Sequence, residues 1–286
     1  MRVYDLAEDK YIEVEQYSKK TLNFLYKTIF GRMCLKVVVC PFISKIYGKY
    51  NDSKFSIKKI DKFISEYKID MNEYEDKIFT SFNDFFARKV KPSARKISTK
   101  KNDFIAPADS KVLVYEIKKD TTFSVKNSIY NIEELVKEKK VENFKEGYVI
   151  VFRLCVDDYH RYHFIDDGKV LKTKKIPGFL YTVSPIAYEH YKVFTENSRE
   201  VSLLETENFG RMYYIEVGAT MVGKIVNHDL KVFKRGDEKG YFNFGGSTVV
   251  LILEKDKVRL NKKLLKNSKE GIETYVKMGM VIGTKK

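Results

Sequence analysis

Residues 240–253 read GYFNFGGSTVVLIL. Gly245 and Gly246 stand directly before Ser247 and Thr248, and an apolar, β-branched run follows at once. That run predicts a buried strand opening at the serine. The glycine pair permits a strained peptide and leaves the Gly246 carbonyl without a side-chain shield. A nucleophile elbow would need G-x-S-x-G between a strand and a helix, so that hydrolase architecture is excluded. The electrophile nearest the Ser247 hydroxyl is then the carbonyl of Gly246, in its own backbone. On these four residues alone, a plain β-turn carrying a serine is the simpler reading.

Outward from this stretch, the chain from about residue 103 has a β texture. The runs KVLVYEI (111–117), GYVIVFRLC (147–155), RMYYIEVG (211–218) and GYFNF (240–244) are short and rich in Val, Ile, Tyr and Phe. Several alternate, as strands do. One helix, NIEELVKEKK (131–140), interrupts them. The first ninety residues predict helix instead. In TLNFLYKTIFGRM (21–33), Leu22, Leu25, Tyr26, Ile29, Phe30 and Met33 fall at helical spacing. FSIKKIDKFISEYKI (55–69) places Ile57, Ile60, Ile64 and Tyr67 on one face. Ser81, with Asp84 three residues on, predicts a helix N-cap. The expected fold is α+β, with a helical segment over 1–90 and a predominantly antiparallel β body over 91–286.

The 286 residues, 43% hydrophobic and 14% aromatic, suffice for a core and exclude a disordered chain. The net charge of +15 invites an anionic partner, nucleic acid or an acidic membrane; a lysine-rich composition without such a partner reads equally well. Between Glu15 and Asp52 the bases Lys19, Lys20, Lys27, Arg32, Lys36, Lys45 and Lys49 occur with no acid among them. An apolar stripe within such a segment is what an interfacial helix needs, although a helix packed on the core has the same stripe. Cys34, Cys40 and Cys155 are too few and too irregular for a disulfide framework or a zinc site, which makes a reducing compartment the default. The acidic start MRVYDLAEDKYIEVEQ has no apolar core of a signal peptide, and no stretch is long enough to span a bilayer. No nucleic-acid motif and no glycine-rich phosphate loop are present.

The histidines are His160, His163, His190 and His228, and the first two lie together in RLCVDDYHRYHFIDDG (153–168). Two imidazoles among acids and arginines point to proton transfer near neutral pH. Asp166 and Asp167 could in principle complete a metal site with them, but no Cys or further His follows at ligand spacing, and no metal is expected. Asp109, in the turn of FIAPADSKV (104–112), is either a turn cap or the carboxylate that orients an imidazole.

Six blocks in order resemble the phosphatidylserine decarboxylase proenzymes. They are FNDFFARKVKPSARKI (82–97), APADSKV (106–112), RLCVDDYHRYH (153–163), LYTVSP (180–185), VGATMVGKI (217–225) and KRGDEKGYFNFGGSTVV (234–250). The resemblance implies self-cleavage between Gly246 and Ser247 into a large N-terminal β chain and a small C-terminal α chain. Ser247 attacks the Gly246 carbonyl to give an ester, elimination leaves dehydroalanine, and loss of ammonia makes a pyruvoyl group from Ser247. His163 is the implied base and Asp109 its orienter. The pyruvoyl cofactor then binds phosphatidylserine as a Schiff base, carbon dioxide leaves, and His160 is the implied donor of the returning proton. The product is phosphatidylethanolamine. The implied partners are phosphatidylserine, an anionic membrane surface reached from the cytoplasmic face by the basic stretch from Tyr17 to Tyr50, and a homodimer of the two-chain unit. The alternative is an uncleaved, inactive relative serving as a basic peripheral lipid-binding protein. The chain departs from the family pattern at Gly245, usually Leu, at Ser110, usually Gly, and at Ser198, usually Glu.

Overall fold

A computed structural model of the chain describes residues 1–14, 18–126, 128–220 and 224–286. Tyr17, which opens the basic stretch, and Met221–Gly223 of the VGATMVGKI block lie outside the described residues. The centre of the fold is a ten-stranded sheet. Its order is Val232–Phe233, Gly168–Ile176, Arg199–Thr206, Gly210–Val217, Ser247–Leu253, Tyr148–Leu154, Ser110–Glu116, Glu273–Val276, Arg2–Asp5 and Lys10–Glu13. Every neighbouring pair is antiparallel except Arg2–Asp5 with Glu273–Val276. All seven residues of Ser247–Leu253 are buried, because both faces of the sheet are covered there. A strand covered on both sides reads as a continuous apolar run instead of an alternating one.

The body is therefore the antiparallel β-rich fold expected, mixed with helices. Two smaller sheets flank it. Ile225–Asn227, Glu238–Phe242 and Arg161–His163 form one, and Val258–Leu260, Val281–Lys285 and Asp103–Ile105 the other. The helix expected at 131–140 is only Ile132–Val136, capped by the Asn131 side chain accepting from the Glu133 and Glu134 amides.

The first ninety residues differ from a purely helical reading. Residues 2–13 form a hairpin that joins the main sheet, with Val3 opposite Glu273. The helices are α1 (Lys19–Lys27), α2 (Ile29–Val38), α3 (Pro41–Asp52), α4 (Ile60–Tyr67) and α5 (Phe82–Phe86). The periodic stretch 21–33 breaks at Thr28, whose extended backbone caps α2 as its hydroxyl accepts from the Gly31 amide at 2.9 Å. A Cβ on Gly31 would lie 1.9 Å from the Phe24 carbonyl oxygen, so only glycine lets α1 and α2 meet this closely. The break divides the stripe. Tyr26 is buried, whereas Ile29, Phe30 and Met33 are exposed. On α3, Phe42, Ile46 and Tyr50 are exposed too, while Ser44, Gly48 and Asn51 face inward.

Helices α4 and α5 turn their apolar residues in. Ile60, Phe63, Phe82, Phe85 and Phe86 form one buried cluster, with Phe244 packed against it. Ser81 caps α5 as expected, its hydroxyl accepting from the Asp84 amide at 3.1 Å. Phe244 carries this cluster to the edge of the glycine pair, and the Phe86 ring lies tilted against that of His160, their centres 4.2 Å apart.

Candidate active site

Ser247 is fully buried at the start of its strand, paired with Leu154 on the neighbouring strand. Its Oγ lies 3.2 Å from Nδ1 of His160, whose Nε2 lies 2.7 Å from the Cys155 carbonyl. A carbonyl only accepts, so Nε2 carries the proton and Nδ1 presents a lone pair to the serine hydroxyl. Burial, with a further push from the Arg88 charge, lowers the pKa of His160 to about 3, which keeps the ring neutral at ordinary pH. The loop holding that carbonyl is fixed from below. Lys111 donates to both oxygens of Asp158 at 2.9 Å, and Asp158 accepts from the Cys155 amide at 2.7 Å. Burial raises the Asp158 pKa to about 6 against the pull of Lys111.

His163 occupies the edge strand Arg161–His163, its amide donating to the Pro107 carbonyl at 2.9 Å. That bond ties it to the turn of Asp109. Burial lowers the His163 pKa to about 4, while Glu238 and Asp109 oppose the shift through their charges. Its Nδ1 is buried with no hydrogen-bond partner. Asp109 itself is held by Arg95, Nε to Oδ1 at 3.0 Å and Nη2 to Oδ2 at 2.6 Å, and by the Met278 amide at 2.7 Å. Among the described residues, no hydrogen bond joins Asp109 to His163 or His163 to Ser247. The Ser247 hydroxyl thus meets His160, and the carboxylate expected to orient an imidazole is bonded to a guanidinium.

Gly245 has φ 138°, a backbone that side-chain-bearing residues rarely adopt, so the departure from Leu suits the turn built here. A Cβ on Gly246 would meet nothing nearer than Val183 Cγ2 at 3.6 Å. The peptide before Ser247 is open, and a cavity of about 250 Å³ reaches it. Gly245, Gly246, Arg153 and Cys155 line it, with Thr182–Pro185 along one wall. Arg153 is held by Glu273, its Nε donating at 2.7 Å. Cys155, Asp157 and Asp158 bring ligand atoms within 4.8 Å of one another, but Asp158 is engaged by Lys111. Asp166 and Asp167 bind Asn208, Lys234 and Arg235, and so do not face the histidine pair as ligands.

The family model for phosphatidylserine decarboxylase matches residues 82–284. The chain belongs to the phosphatidylserine decarboxylase family. It is 53% identical to phosphatidylserine decarboxylase proenzyme 2 of Clostridium acetobutylicum, over 98% of this chain and 96% of that one. It is 48% identical to the proenzyme of Clostridium tetani over 96% of each chain. To that of Clostridium botulinum it is 43% identical, over 100% of this chain and 99% of that one. The family is one of carboxy-lyases made as proenzymes, and a lipid-binding relative without activity has no support. The phosphatidylserine decarboxylase match runs beyond Val250, where the last legible block ends, to residue 284, and takes in the strand Glu273–Val276 and most of Val281–Lys285. Arg95 and Lys111 sit inside recognised blocks, yet their roles were missed. Their partners lie 14 and 47 residues away, and spacing alone does not announce such pairs.

Proposed function

We propose that this chain cuts itself between Gly246 and Ser247, forms a pyruvoyl group from Ser247, and decarboxylates phosphatidylserine to phosphatidylethanolamine. The observation that carries the reading is the buried Ser247 hydroxyl, 3.2 Å from a neutral imidazole nitrogen and next to an unshielded glycine carbonyl. The site fits the group, since a cavity already ends at Gly246 and the buried Thr248 Oγ1 beside it has no partner. The pyruvoyl group supplies a ketone for the substrate's amine and a sink for the electron pair left by carbon dioxide.

Two histidines divide the proton work. His163, neutral and with Nδ1 unpaired, takes the serine proton during the cut after a shift of the glycine turn, and the charge of Asp109 stabilises the imidazolium. His160, its Nε2–H fixed by the Cys155 carbonyl, faces the reacting atom afterwards with Nδ1, takes up a proton there from water and passes it to the α-carbon. A second reading gives both steps to His160, and its contact with Oγ favours it. Under the first, His160→Ala is cut but inactive, and under the second it stays whole. Intact mass under denaturing conditions decides between them. For the wild-type chain it should give two species, one ending at Gly246 and one spanning 247–286 with a hydroxylamine-reactive ketone. A single full-length species would refute the self-cleavage.

The helices α1–α3 are the membrane-facing element in this reading. They combine the acid-free run of seven bases with outward Ile29, Phe30, Met33, Val37, Phe42 and Ile46. No helix among the described residues is long and apolar enough to cross a membrane. Cationic charge with apolar side chains turned to solvent complements an anionic lipid surface. Residues 91–286 form the catalytic body, and a homodimer of the two-chain unit at the cytoplasmic face completes the proposal.

A further inference from the structure

Ser18, which precedes α1, and Leu22 of α1 line the same cavity as Gly245, Gly246 and Arg153. Its side wall, Thr182–Pro185, is irregular backbone with no strand ladder to hold it. Buried amides in such a segment need partners from outside it. The partner of the Thr182 amide is the hydroxyl of Tyr26 on α1, which accepts at 3.0 Å. Tyr26 is 1% exposed, packed edge-on against Tyr191 at 5.9 Å and stacked near His190 at 6.5 Å. Two residues up the wall, the Leu180 amide donates to the Val39 carbonyl just past α2, at 3.1 Å. The helices that turn apolar side chains outward thus also hold the cavity wall from inside.

We propose that α1 is the movable lip of this cavity and that Tyr26 is the positioning residue through which seating of α1–α3 on an anionic lipid surface sets the Thr182–Pro185 wall and admits the substrate headgroup toward Gly246. This rests on the membrane-facing reading of α1–α3. The lip sits where one substrate class needs it. A lipid leaving a bilayer enters head first, past the helix that touches the bilayer, into the cavity that α1 lines together with Gly246. Contact with lipid favours one placement of α1 over others, and any element bonded to α1 shares that preference. In a purely structural role, Tyr26 would hold the fold equally with or without lipid.

The test uses the matured enzyme and dihexanoyl-phosphatidylserine below its micelle concentration, with and without substrate-free phosphatidylglycerol vesicles. Wild-type turnover of the soluble substrate should rise about fivefold when vesicles are added, a modest shift between two placements of the lip. Tyr26→Phe keeps the ring and removes the hydroxyl. It should be cut normally, sediment with vesicles as the wild type does, and show no stimulation, with the change in KM and not kcat. A wild type that binds vesicles without stimulation overturns the proposal, as does a Tyr26→Phe enzyme stimulated like the wild type. A Tyr26→Phe chain that fails to mature overturns it also, because the hydroxyl would then be holding the fold. The underlying membrane reading is checked apart, with Phe30→Ser/Met33→Ser. If that variant still sediments with vesicles, the reading of α1–α3 fails, whatever Tyr26 does.

Discussion

Helices α2–α3 and α4–α5 carry apolar stripes of much the same spacing, and they point in opposite directions. In the first pair Phe30, Met33, Val37, Phe42 and Ile46 are exposed, whereas in the second Ile60, Phe63, Phe82, Phe85 and Phe86 are buried. Periodicity declares that a face exists but is silent on what covers it. The charges separate the two. No acid lies between Glu15 and Asp52, while Asp61, Glu66, Asp70, Glu73 and Asp84 punctuate the stretch that follows. The inward pair has its cover within the chain, in Phe244 and the His160 loop. The outward pair has no such cover among the described residues, and the proposed reading assigns it an anionic surface on the strength of its charge.

The largest effect that would break this contrast is on the inward side. Phe86→Ala should cost about 3–5 kcal/mol of unfolding free energy, the usual range for a buried phenylalanine, and it should disturb His160 as well. Denaturant titration reads the first and the fraction cut reads the second.

Acid is next in size. His160 and His163 have folded pKa values of about 3 and about 4, below the ordinary 6.5 that the unfolded chain regains. Their contribution is complete above pH 6.5 and is lost as pH falls toward those values, because only the unfolded chain takes up the protons. At pH 5 each loss is about 2 kcal/mol. Asp158, raised to about 6, has the opposite sign and offsets part of that loss. Stability should therefore fall between pH 7 and pH 5, and His160→Gln should reduce that slope. The same interval should leave vesicle adsorption unchanged, since the outward segment's charges are all Lys and Arg.

On the outward side, Phe30→Ser/Met33→Ser should weaken adsorption to anionic vesicles about tenfold or more, given the apolar area withdrawn from the lipid. Its unfolding free energy should stay within about 0.5 kcal/mol of the wild type, as for other exposed positions. A stability loss of several kcal/mol would show that the stripe is covered by protein. The smallest effect sharpens the charge argument. Lys36→Ala should reduce adsorption about fivefold at low salt, and the difference should close as salt shortens the reach of the field.

Much of the β body was legible, because strands such as Ser247–Leu253 and Tyr148–Leu154 are long apolar runs buried on both faces. The N-terminal hairpin was not. Four residues, Arg2–Asp5, are too few to show a period, and their partner strand is some 270 residues away. The break at Thr28 was hidden because a Thr cap and a glycine do not interrupt the apolar spacing. At the site, Ser247, Gly246 and the histidine pair stood out by residue type. Which imidazole meets the serine depends on how Cys155, Asp158 and Lys111 fold the loop between two strands, and a spacing of three residues does not encode that.

The position of Ser247–Leu253 has a further consequence. A fragment 247–286 contributes the strand between Gly210–Val217 and Tyr148–Leu154, and another between Ser110–Glu116 and Arg2–Asp5. It also supplies Val258–Leu260 and Val281–Lys285 to a second sheet. Threaded through two sheets, it would not leave after a cut without pulling the core apart. The uncut chain finds that arrangement as one molecule, whereas two separated pieces would have to find it by collision, with exposed apolar strands waiting. Folding then has to precede the cut, and the finished enzyme would owe its lifetime to a barrier against unfolding, with no ready route back.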